Sequence, residues 1–293
     1  MMYLKKQKQE FAVTFRTFGE DLDNTLYEFD RFCQGEHPCF NGRNSMPSVK
    51  MDGAKGAKDF RLRAPQEQRA LLYRLGEGVN ETVLVQSATH TRVPTRDQIN
   101  QIDPDEHTLT RDHLDIHQTV LEVLKKYAFM GIQEDFPAYR ASGGSSRMGK
   151  LLTVDQADYQ TQHIFFDDNA DDGADCIVDV RDVITGEKLP FEQVIDMYVV
   201  KVHPHRAILE PDYFVKLIET AVAKRDAEIR QAEQATALEA PAGESEWEQL
   251  QRMPDQDYLM RTVLPVLYQG MRLVDMERPS APLEYLALYL LKN

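Results

Sequence analysis

The apolar spacing changes several times along this chain, and each change predicts an element. Residues 11–16 (Phe-Ala-Val-Thr-Phe-Arg) are apolar and β-branched, and predict a strand running into Thr17, Phe18 and Gly19. Leu22, Leu26, Phe29 and Phe32 or Cys33 then fall on one face of a helix, and a strand followed at once by a helix opens an α/β unit. A second strand is expected over 82–85. A helix follows over 111–129, with Leu114, Leu121 and Leu124 turned inward. Residues 163–169 (His-Ile-Phe-Phe-Asp-Asp-Asn) predict a short buried strand with two carboxylates at its C-terminal end, where open parallel sheets place ligands. Further strands are expected over 176–180 and 197–202, with a turn at 183–189 between them.

From 211 to 239 the pattern is helical, starting at Tyr213, Phe214, Leu217 and Ile218 and fading into charged residues, as in a solvated arm. Residues 240–243 break it, and a short helix is expected around 247–252. The last stretch, 255–293, reads as two helices around a Pro-rich corner from Arg278 to Pro282. Leu259, Val263, Val266, Leu267, Gly270 and Val274 form one apolar stripe, and Leu283, Leu286, Ala287 and Leu290 form another. So short a hairpin lacks the volume to bury both stripes against itself, so another surface must cover them.

Composition narrows the classes. An apolar content of 42% supports a real core, and a net charge of −14 argues against general nucleic-acid binding. Cys33, Cys39 and Cys176 form no metal spacing and cannot all pair, which favours a reducing compartment. The first ten residues carry no apolar leader, and nothing approaches the roughly 20 apolar residues of a spanning helix. The expectation is a soluble intracellular protein that engages no membrane. Residues 41–69, with seven basic and three acidic side chains, read as a basic surface loop or insertion.

Other patterns carry less. His113 and His117 lie one helical turn apart, a zinc-compatible spacing, with only His107 as a third candidate. Residues from Gly144 to Lys150 fit the first part of a phosphate loop, but Leu151 stands where Ser or Thr is needed and no buried strand precedes it.

Two family resemblances add to this reading. Tyr258-Leu259, Thr262 through Leu267, Gln269-Gly270, Glu277-Arg278-Pro279, Pro282 and Leu286 through Asn293 closely resemble the Dpy-thirty (dumpy-thirty) motif. That resemblance implies a homodimer through 255–293, a four-helix bundle whose groove takes an amphipathic helix of a scaffold protein. It makes Leu259, Val263, Val266, Leu267, Gly270, Val274, Leu283, Leu286 and Leu290 the dimerisation and docking residues. Pro265 reads as a kink. The settings it suggests are the ciliary or flagellar axoneme, with a radial spoke stalk protein as partner, and alternatively the nucleus.

Upstream, Lys150 in Met148-Gly149-Lys150-Leu151-Leu152, the segment Ile164 to Asn169, and Thr17 at the end of the first strand resemble motifs of the haloacid dehalogenase (HAD) superfamily. By that resemblance Lys150 clamps phosphate, and Asp167 and Asp168 form a Mg²⁺ site, here vestigial. Asp21-Leu22-Asp23-Asn24-Thr25 fits the nucleophile motif locally, with Asp21 as nucleophile and Asp23 as acid–base. Its context, a turn entering a helix rather than a strand tip, spoils the attack geometry. One reading is therefore a structural, catalytically inactive body with no cofactor. The other is a Mg²⁺-dependent phosphatase using Asp21, Asp23 and Lys150. The expected architecture is α/β: a Rossmannoid, HAD-like parallel sheet with helices over 1–210, a charged arm and linker over 211–254, and the dimerising hairpin over 255–293.

Overall fold

The computed structural model describes every residue except 44, 46, 55–57, 79–80, 88–98, 100–106, 172–175, 240–249 and 293. It divides into two compact units, Met1–Asp226 and Ala227–Asn293. The helix break expected at 240–243 and the start of the short helix near Trp247 lie outside the described residues.

The first unit opens with α1 (Met2–Lys6), β1 (Val13–Thr17), α2 (Leu22–Gln34), α3 (Pro65–Gln68), β2 (Arg69–Arg74), β3 (Thr82–Ser87) and β4 (His107–Thr110). It continues with α4 (His113–Tyr127), β5 (Phe129–Glu134), α5 (Phe136–Ala141), β6 (Lys150–Val154), β7 (Phe165–Asp167) and β8 (Val178–Asp182). Then come α6 (Phe191–Val194), β9 (Val199–Lys201), α7 (Pro204–Leu209) and α8 (Tyr213–Glu239), the last crossing the boundary between units.

One five-stranded sheet has the order β1-β5-β2-β3-β4. Its first three strands are parallel, and β3 and β4 are antiparallel to their neighbours. The expected parallel sheet is thus a mixed one. A tight return holds β2 and β3 as a hairpin, with the Leu75 N–H donating to Glu81 O at 2.7 Å, and a connection that short cannot make a parallel crossover. Two further parallel pairs, β6 with β8 and β7 with β9, stand apart from this sheet.

Both faces of the main sheet are covered, and strand alternation decides which side chain goes where. Met130 and Ile132 of β5, with Ala70 and Leu72 of β2, pack beneath Ile116, Val123 and Tyr127 of α4. Phe129 points the other way, among Leu22, Leu26 and Phe29 of α2. Gly131 permits that close approach: a Cβ there would sit 2.7 Å from Leu26 Cδ2 and 2.8 Å from Leu22 Cδ1. Helix α2 ends in a left-handed Gly35 (φ +77°), whose N–H donates to Phe32 O.

Two expectations are corrected by this packing. The buried face of α4 is His113, Ile116, His117, Val123 and Tyr127; of the three expected leucines, half-buried Leu124 packs against that core, while Leu114 and Leu121 are only half-buried. The segment 41–69 is not merely a surface loop: Val49, Met51, Phe60 and Ala64 are buried, and Phe60 stacks on Phe11 at 4.9 Å. Buried Gln68 ties its end to the sheet. Its Oε1 accepts from the N–H groups of Arg63 and Ala64, and its Nε2 donates to Phe129 O at 3.1 Å.

The second unit contains α9 (Asp255–Thr262), α10 (Leu264–Glu277) and α11 (Pro282–Lys292). The first helix of the expected pair is interrupted at one residue, Val263, which separates α9 from α10. Pro265 has no N–H to continue the ladder, yet Val263 stays in the right-handed helical region, its N–H donating to Leu259 O and its carbonyl accepting from the Leu267 N–H, so the interruption is the expected kink. Arg278 in the left-handed region (φ +42°) ends α10 and turns the chain into the corner before α11.

Candidate functional site

The C-terminal ends of β1 and β5 lie side by side in parallel register, with Arg16 opposite Ile132 and Thr17 opposite Gln133. There Arg16 Nε donates to Glu134 Oε1 at 2.6 Å, and its Nη1 donates to Leu151 O at 2.5 Å. Lys150 Nζ donates to Asp167 Oδ2 at 2.7 Å, joining β6 to β7. The Phe165 ring lies against both cations, 5.3 Å from the Arg16 guanidinium carbon and 5.9 Å from Lys150 Nζ. Two cations and two carboxylates are therefore packed as neighbouring buried ion pairs. Burial pushes the Glu134 carboxyl up, against the Arg16 guanidinium that pulls it down.

The other residues of the expected site lie elsewhere. Asp21 occupies the N-cap position of α2, without a side-chain capping bond, and accepts from the Thr17 hydroxyl at 3.3 Å, so it stands at a helix entrance and not at a strand tip. Asp23 is bound by Arg69 Nε at 2.5 Å. Asp168 is exposed and accepts from Asn169 Nδ2, while Asp167 Oδ1 accepts the Asn169 N–H at 2.8 Å. Both Asp167 oxygens are thus engaged by protein donors. Among the described residues no group of three His, Cys, Asp or Glu is placed to hold a metal ion. This arrangement does not suit a Mg²⁺ ion, because the Lys150 ammonium already neutralises Asp167 and too few acidic oxygens converge there for near-octahedral ligation.

His117 faces inward, with Nδ1 2.9 Å from Thr153 Oγ1 and its ring edge-on to His163 at 5.6 Å. Burial lowers both imidazoles, His163 to about 4. A second buried network went unnoticed in the sequence. Asp179 of β8 accepts from Arg74 of β2 and from Arg181, each at 2.8 Å, with Lys188 4.0 Å away. Its trace in the sequence is Cys176-Ile177-Val178-Asp179-Val180-Arg181, where charged side chains sit inside an otherwise apolar run.

In the second unit the apolar residues are unevenly covered. Gly270 is buried against α11: a Cβ there would lie 2.6 Å from Leu286 Cδ1 and 2.7 Å from Tyr289 Cδ1. Val266, Leu267, Val274 and Leu286 are half-buried, whereas Leu259, Val263, Leu283 and Leu290 are exposed, Leu283 to 81%. Leu264, Tyr268, Met271, Leu288 and Leu291 add to this apolar surface. A groove of about 410 Å³ opens at the corner, between Met271 and Val274 on one side and Pro282, Leu283 and Leu286 on the other.

A short helical hairpin with that much uncovered apolar surface defines a dimerisation or docking module. Residues 254–293 match the family model for the Dpy-30 motif, a motif that dimerises and docks partner helices. No solved structure matches the chain. Among the described residues no helix is long and apolar enough to cross a membrane.

Proposed function

We propose that this protein is a scaffold subunit that dimerises through residues 255–293 and captures an amphipathic helix of a larger assembly. The observation that carries this reading is the exposed apolar surface of α9, α10 and α11 within the span matching the Dpy-30 motif. The α/β body, over 1–210 with 211–254 as its arm, serves as a structural part. Its degenerate HAD-like character rests on the resemblance of the segments around Thr17, Lys150 and Asp167. The placement of Asp21 at a helix entrance and the Lys150–Asp167 pair support an inactive body. The assembly we infer is the ciliary or flagellar axoneme, at a radial spoke, a reading that rests on the hairpin's resemblance joined to an acidic body.

Light scattering of the full chain, alone and with an amphipathic helical peptide, tests the central claim. A dimer mass is expected, with one peptide bound per dimer and binding lost on Leu283→Glu with Leu290→Glu. A monomer that ignores the peptide would sink it. A tagged chain that stays out of the axoneme in ciliated cells would remove the assembly assignment alone.

A further inference from the structure

A second apolar surface lies in the first unit, unrelated to the hairpin. A shallow, open depression of about 480 Å³ lies where β1 meets α2. Phe15, Phe29 and Phe32 form its floor, buried or half-buried, and Asp21, Thr25 and Glu28 form its rim. Asp21, Thr25, Glu28 and Phe32 succeed one another at helical spacing, so the wall is a stripe along α2 about 16 Å long. That length matches about five residues of extended chain. Strand β1 ends the five-stranded sheet, so among the described residues no strand pairs with its outer edge. A peptide lying there meets an apolar floor on one side and, on another, a strand edge with which no described strand pairs.

The rim sets the charge of what binds. Asp21 and Glu28 are both exposed, and a carboxylate accepts several hydrogen bonds. Asp21 accepts from the Thr17 hydroxyl, and among the described residues Glu28 is paired with Arg31, 3.5 Å away. Aromatic faces beside carboxylates favour an ammonium or guanidinium group, and the chain's net charge of −14 adds a long-range pull of the same sign. His37 closes the end near Phe32.

We propose that this depression docks an extended basic segment of a partner protein, with a Lys or Arg side chain over the Phe15–Phe32 floor between Asp21 and Glu28. The residues of this site all belong to the first unit, so the chain would carry two docking surfaces of different chemistry: one for an apolar helix and one for a basic extended strand.

Fluorescence anisotropy on the full chain tests this with a labelled Lys-Val-Lys-Val-Lys peptide against a Glu-Val-Glu-Val-Glu control. The paired variant Asp21→Asn with Glu28→Gln removes both rim charges, and since the Asp21 side chain makes no capping bond, no helix cap is lost. A second pair, Glu187→Gln with Glu192→Gln, removes the same charge from exposed positions elsewhere. The expected result is binding of the Lys peptide alone, about tenfold weaker in the rim pair and unchanged in the distant pair. Equal weakening in both pairs would mean only diffuse attraction to an acidic protein and would overturn the proposal. So would no weakening in either pair, or no binding to the unmodified chain.

Discussion

Asp167 is almost wholly removed from water, and its charge is tolerable there because Lys150 stands 2.7 Å away. Deleting one partner of such a pair costs more than the pair itself contributes, because the remaining charge stays buried. Lys150→Met should therefore lower stability by about 3–5 kcal/mol in urea denaturation. Adding Asp167→Leu should recover most of that loss. A single variant costing under about 1 kcal/mol would mean that the pair is merely incidental. Lys150 and Asp167 were legible in the sequence through a family resemblance. Arg16 and Glu134 were not, because they lie 118 positions apart and only the parallel pairing of β1 with β5 brings them together.

Among the elements, the α10–α11 contact is decided at Gly270. A Cβ there meets Leu286 Cδ1, an end that can move, and the Tyr289 ring at Cδ1, which must shift as a body. Gly270→Ala should therefore be close to neutral only because Ala's gain of about 1 kcal/mol in helix propensity offsets that shift. Gly270→Val adds two branches that overpack the same contact, costing about 1–3 kcal/mol. Sedimentation velocity should find Ala self-associating like the parent chain and Val shifted toward monomer. If both variants behave alike, Gly270 is not the point of closest approach. Element type was readable where spacing was clean, as in α2, β3 and α8. Strands β2, β5 and β6 were missed for a physical reason. Each is buried on nearly every residue, so no alternation marks it, and β5 follows α4 after the single left-handed residue Ala128.

For the whole molecule, the buried histidines set a direction for acid stability. His117 on α4 and His163 before β7 are held below the ordinary value by burial. The carboxylates of Asp155 and Asp158 oppose that shift, while Arg16, Arg225 and His113 act as like charges around the pair. An unfolded chain then takes up protons on these imidazoles below about pH 6.5 while the folded one does not, so stability falls as pH drops from there toward 4. Glu134, shifted up by burial, works the other way, gaining stability as it protonates. Chemical denaturation at pH 7 and pH 5 should differ by roughly 1–2 kcal/mol more in the parent than in His163→Asn. Parallel profiles for the two proteins would show that His163 takes up its proton without resistance.

The sequence alone determined the Dpy-30 hairpin, because an ordered local motif and two apolar stripes need no knowledge of distant contacts. It also indicated a helix after Asp21, because Leu22, Leu26 and Phe29 share a helical face, but left Asp21 itself open between a helix entrance and a nucleophile until the structure placed it at the N-cap. Only the tertiary structure decided that the sheet is mixed, that Asp167 is claimed by Lys150 and a backbone N–H, and that segment 41–69 contributes to the core. These depend on contacts between residues far apart in the chain, where side-chain pattern records burial but not the identity of the neighbour.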